Sequence, residues 1–79
     1  MAILRMFAGA REAAGTSRDE FEATTVAELL AEADQRYGDG FVAVRSASRI
    51  WLNGEAATGD EPIGARDEVA VLPPVSGGA

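Results

Sequence analysis

A chain of 79 residues, 47% of them apolar, has room for one domain around one core and none for a second. Thirteen acidic residues against seven arginines leave a net charge of -6, which disfavours phosphate backbones and anionic lipid surfaces, so neither nucleic acid nor membrane is an expected partner. With no Cys, His or Lys, the chain has no thiolate or imidazole metal site, cysteine nucleophile, Ser-His triad or Schiff base, and its side chains cannot accept an isopeptide bond.

Residues 2 to 8 alternate, with Ala2, Leu4, Met6 and Ala8 on one face and Ile3, Arg5 and Phe7 on the other, which predicts a strand. Ala10 to Ala14, between Gly9 and Gly15, is long enough for one helical turn. Asp19 to Ala23 alternates again, so the two strands form a hairpin with a long loop. Thr25 and Glu28 make a capping box that starts a helix at Val26. Val26, Leu29, Leu30, Ala33 and Tyr37 give that helix an apolar stripe, and Gly38 stops it.

Residues 38 to 48 show no clear period. Arg49 to Leu52 reads as a strand running into Asn53-Gly54, a two-residue hairpin turn with a short return strand. After an irregular turn at Asp60-Glu61-Pro62, Asp67 to Leu72 forms the last strand, stopped by Pro73-Pro74. One amphipathic helix over a sheet of four to five strands is an α+β two-layer fold.

Strand parity sorts the apolar residues of that sheet into two sets. Leu4, Met6, Ile50, Leu52, Val69 and Val71 build the core, while Phe7, Trp51, Ala70 and Leu72 point away from the helix. Two readings fit the second set: a docking surface, or satellite core, either covered by loops 9–18 and 38–48 or turned inward where parity slips at a bulge. Asp19, Glu20 and Glu22, and also Asp60 and Glu61, lack the loop pattern of a calcium site and read as solvated acidic faces. The glycines form no phosphate-cradling fingerprint, and no residue is assigned as catalytic acid, base or nucleophile.

No uninterrupted apolar run approaches the roughly 18 residues of a membrane span. Met1-Ala2-Ile3-Leu4-Arg5 reads as neither signal peptide nor lipidation motif, so the expected location is cytoplasmic.

Beyond Pro74 the sequence loses hydrophobic pattern and bulk, which divides the chain into a domain at 1–74 and an expected flexible tail at 75–79. Extended, Val75 to Gly78 reaches on the order of 13 Å. Gly77 and Gly78 carry no Cβ and pass where other residues would not. A terminal carboxylate at neutral pH is an anion and a poor electrophile, so it must be activated before it transfers anything.

These features together resemble the ubiquitin-like sulfur carriers of the β-grasp fold. Leu72-Pro73-Pro74-Val75-Ser76-Gly77-Gly78 is similar to the ending of the small subunit of molybdopterin synthase, Phe7-Ala8-Gly9-Ala10-Arg11-Glu12 to that family's first strand and turn, and Asp67-Glu68-Val69-Ala70 to its last strand. The resemblance implies a non-catalytic carrier, the loaded residue being Gly78. An adenylating enzyme of the ubiquitin-activating type activates the carboxyl group with ATP and magnesium, and a sulfur donor leaves a thiocarboxylate. The large subunit of molybdopterin synthase then receives the tail. Strand parity makes Phe7, Trp51 and Leu72 the expected docking face of such a carrier, Pro73, Pro74 and Val75 are its expected stalk, and Arg11 reads either as a charged contact at the rim or as a solvated arginine.

Ala79 departs from the pattern, in which the second glycine is last, so either a peptidase acting between Gly78 and Ala79 removes it or the sequence is that of a precursor or altered form, direct activation of the alanine being the third reading. Asn53-Gly54-Glu55 also resembles the thiamine-pathway carrier, and a cysteine-synthesis carrier or a ubiquitin-like modifier of target lysines are the other implied functions.

Overall fold

The computed structural model describes residues 1–74, so the expected tail from Val75 to Ala79 lies outside the described residues. Eight elements follow in order: β1 (Ala2–Met6), α1 (Ala8–Ala14), β2 (Arg18–Phe21), α2 (Val26–Tyr37), α3 (Asp39–Ser46), β3 (Arg49–Leu52), β4 (Glu55–Ala56) and β5 (Glu68–Leu72). The strands form one mixed five-stranded sheet in the order β2-β1-β5-β3-β4, with β1 and β5 parallel and every other pair antiparallel. This is the β-grasp arrangement, with one difference from expectation: three helices rather than one accompany the sheet.

The strand alternation carries through to burial as far as Met6; Ala8, expected on the core face of the strand, is exposed and opens α1 instead. Leu4, Met6, Val69 and Val71 are fully buried, and α2 lays Val26, Leu29, Leu30 and Ala33 against them. Burying side chains of this size stabilises by about 1.5–3 kcal/mol each, which is what a domain this small must rely on. The cap of α2 forms with one shift from the expected pattern. The Glu28 N–H donates to Thr25 Oγ1 at 3.1 Å, but the Glu28 carboxylate accepts from the Thr24 N–H at 2.9 Å rather than from Thr25. Gly38, at φ 91, ends the helix.

The expected single turn at Ala10–Ala14 is a seven-residue helix, α1, which buries only Ala10. Residues 38–48, which show no period, contain α3. Its Gly40, Val42 and Val44 are poor helix formers, and tertiary contacts overrule them. Phe41 is fully buried, with its ring centroid 5.1 Å from that of Tyr37. Arg45 grips the Asp34 carboxylate of α2 with both Nε, at 3.1 Å, and Nη2. Ala10 and Phe41 both join the core beneath α2.

Candidate functional site

The sheet face opposite this core is built by strand register. Arg18, Arg5, Ala70, Trp51 and Ala56 form one cross-strand row running from β2 through β1, β5 and β3 to β4. Leu72 sits opposite Arg49 in the adjoining row. Phe7 follows β1 at the same end, with its N–H on the Val71 carbonyl at 3.3 Å. Phe7 is 44% exposed, and Trp51, Ala70 and Leu72 are half-buried. The segments considered as covers for this set are α1 and α3, and their buried residues lie on the core side instead.

A buckle at the Asn53-Gly54 turn holds the face in place. Both residues have positive φ, 50 and 86, which is the geometry a two-residue hairpin needs. The Asn53 N–H donates to the Glu68 carbonyl at 2.8 Å, its Oδ1 accepts from the Glu68 N–H at 2.9 Å, and its Nδ2 donates to Asp67 Oδ1 at 3.0 Å. Asn53 first, and the Gly64 N–H second, hold the Asp67 carboxyl below the usual carboxylate range. The hairpin is thereby tied to β5, which fixes Trp51 beside Ala70.

Sequence reasoning placed Arg5 on this face beside Phe7 but missed Arg18 and Arg49 and the rim the three form. Arg5, Arg18 and Arg49 share the parity of Trp51 and Ala70, and that shared parity was the available signal. Arg5 pairs with Glu68 and Arg18 with Glu20, both at 3.2 Å, and among the described residues Arg49 has no ion pair. A chain of net charge -6 therefore carries three of its seven basic residues around an apolar strip.

The remaining site residues separate. Arg11 is exposed on α1, Pro73 is half-buried and Pro74 exposed just after β5, while Val75, Ser76, Gly77, Gly78 and Ala79 lie outside the described residues. Among the described residues no group of three or more acidic side chains is placed to hold a metal. The acidic residues considered are tied into the fold. Glu61 takes the Thr58 and Gly59 N–H groups at 2.7 and 2.8 Å, and backbone hydrogen bonds hold its carboxyl below the usual range. Asp19 accepts from the Tyr37 hydroxyl and from Arg36 Nη1 at 3.0 Å.

Two surface depressions, each about 280 Å³, fall short of drug-sized pockets. One adjoins Trp51, Arg49 and Ala56; the other lies by Met1, Glu22 and Glu28. Among the described residues no helix is long and apolar enough to cross a membrane. A partly apolar face with an arginine rim and a shallow depression beside Trp51 can bind a protein surface.

Known proteins agree with this architecture. The chain is similar to a putative molybdopterin converting factor, subunit 1, from Pyrococcus furiosus, at 27% identity over 94% of this chain and 97% of that one, with a TM-score of 0.81. It is similar to the small archaeal modifier protein SAMP1 from Haloferax volcanii at 28% identity, over 95% of this chain and 96% of that one, with a TM-score of 0.75. A complex of subunits 1 and 2 of the molybdopterin-converting factor from Helicobacter pylori shares the fold, with 21% identity over 94% and 93% and a TM-score of 0.73. No curated protein sequence matches significantly. The profile of the ThiS family matches residues 4–78, nearly the whole length, and the chain belongs to that family.

Proposed function

We propose that this protein carries sulfur on Gly78 for molybdopterin synthesis. One observation carries the reading: the family match extends to residue 78 and so takes in both tail glycines. The 27% identity with the Pyrococcus furiosus molybdopterin converting factor subunit supports the choice of pathway.

In this scheme the chain is a non-catalytic carrier. A peptidase removes Ala79. On the activating enzyme, with ATP and magnesium, a Gly78 carboxylate oxygen attacks the α-phosphate and pyrophosphate leaves. Hydrosulfide released by a sulfur donor then attacks the acyl carbon and AMP leaves as its phosphate oxygen takes the bonding pair, so one C–O bond is replaced by C–S and a thiocarboxylate remains. The large synthase subunit accepts the loaded tail. The domain supplies position: Phe7, Trp51 and Leu72 bury against each partner, Arg49 meets a carboxylate at its rim while Arg5 and Arg18 stay paired with Glu68 and Glu20, Arg11 adds a charge on α1, and Pro73-Pro74 starts the stalk.

Intact-mass measurement of the protein from its own cells tests this. The expected species ends at Gly78 and carries sulfur in place of one oxygen. A pool that keeps Ala79 and never gains sulfur while molybdopterin is being made refutes the reading. The likeness to SAMP1 favours a second one, a protein modifier, which predicts larger conjugates on target lysines. A thiamine- or cysteine-pathway carrier gives the thiocarboxylate without dependence of molybdopterin synthesis on this chain.

A further inference from the structure

β2 is an edge strand of the sheet, and an edge presents unpaired backbone groups to any strand of matching shape. Register shows which groups these are. The Met6 N–H reaches the Ser17 carbonyl at 2.9 Å and Leu4 lies opposite Asp19, so Asp19 and Phe21 turn their backbone toward β1, and Arg18 and Glu20 turn theirs outward. All four outward groups are already taken by side chains. Thr16 Oγ1 donates to the Arg18 carbonyl at 3.0 Å and accepts from the Arg18 N–H at 3.4 Å. Asp19 Oδ1 accepts from the Glu20 N–H at 2.8 Å, and Arg36 Nη1 donates to the Glu20 carbonyl at 3.3 Å.

The plugs are themselves pinned. The Arg36 guanidinium lies 4.0 Å over the Phe21 ring and pairs with Asp19 at 3.0 Å, and the Tyr37 hydroxyl donates to the same carboxylate. At the other edge, β4 is only two residues long, and Glu61 takes the N–H groups of Thr58 and Gly59 just beyond it.

Without the plugs, β2 matches itself. Antiparallel pairing of two copies about a two-fold axis at Asp19 sets Arg18 of each chain opposite Glu20 of the other, joining all four outward groups and two pairs of opposite charge. We propose that Thr16, Asp19 and Arg36 form a built-in closure of the β2 edge that prevents this pairing between copies. It leaves the arginine-rimmed face as the sheet's route to other proteins. The inference needs no assumption about sulfur transfer.

Sedimentation velocity over a concentration series tests it on the whole chain with Thr16→Val, Asp19→Ala and Arg36→Ala combined, which removes every side chain that holds an outward group. Wild type is expected to stay monomeric, and the variant's dimer dissociation constant is expected to lie at least about tenfold lower. Its Arg18 and Glu20 amides should exchange more slowly as concentration rises. A variant that keeps wild-type circular dichroism and a cooperative melt yet stays monomeric over the same range overturns the proposal.

Hydrogen exchange on wild type decides independently of whether the variant folds. Protection of both outward amides in the dilute monomer is expected, and exchange at unstructured rates overturns the closure.

Discussion

Two substitutions at adjacent positions of β5 separate the outer face from the core. Leu72 is half-buried, so replacing it with Glu forfeits about 1 kcal/mol of apolar burial. The new carboxylate stands opposite Arg49, where a cross-strand pair of opposite charges returns about 0.2–1 kcal/mol. The net loss stays under about 1 kcal/mol, and the melting temperature falls by no more than about 8 °C. Val71→Asp instead removes a fully buried side chain and leaves a carboxylate without a partner. That costs several kcal/mol, comparable with the whole stability of a small domain. Thermal melts should show Leu72→Glu folded and Val71→Asp unfolded. The same Leu72→Glu protein should be adenylated poorly, since it places charge in the apolar strip and neutralises Arg49. A melt for Leu72→Glu as low as that of Val71→Asp, or undiminished adenylation, would refute the assignment of this face.

Asn53→Ala should cost about 2 kcal/mol, because Ala disfavours positive φ and cannot replace the bonds to Asp67 and Glu68; Asn53→Gly should recover the conformational part only, as urea melts will measure. Ala8 has φ 49 at the start of α1, so Ala8→Gly should stabilise by about 0.5 kcal/mol, and a lower melting temperature would contradict that geometry. Acid should destabilise the fold through Asp19, Glu61 and Asp67. Burial alone raises Asp19, but the Tyr37 hydroxyl, the Glu20 N–H and Arg36 outweigh it, so all three carboxyls titrate below their unfolded values. The unfolded chain then binds more protons, and this contribution, fully present above about pH 5, is lost as pH falls through the depressed values. Urea midpoints that stay flat from about pH 5 to pH 2 would rule it out.

What could be read from the sequence follows from how local each signal is. The alternation in β1 and β5, the Thr25 cap and the Asn53-Gly54 turn are set by neighbouring residues, and all three appear in the fold. The helix α3 is not local: Phe41 finds its place through Tyr37, and Arg45 through Asp34 on another helix. Alanines in α1 make no stripe for a pattern to detect. The arginine rim was hidden for a different reason, since net charge averages over the surface and only strand register gathers Arg5, Arg18 and Arg49 onto one side. The tail at 75–79 rests on composition and resemblance alone, and it lies outside the described residues.

The position of β5 bears on how a tail can be handled. The chain passes residue 72 from the strand that lies between β1 and β3, not from an edge. On one side the Phe7 N–H holds the Val71 carbonyl, and on the other Leu72 pairs with Arg49. A partner that draws the tail into a channel therefore pulls on a strand bonded along both sides, and the sheet resists as a unit where an edge strand would peel. The same placement puts Leu72, Arg49 and Phe7 at the root of the tail. Under the proposed docking on the outer face, Pro74 has a fixed place relative to the partner, and four extended residues from Val75 to Gly78 would reach on the order of 13 Å beyond it. A carrier that delivers one end to several enzymes can meet that demand with a single face, provided that each enzyme sets its channel at the same distance from it.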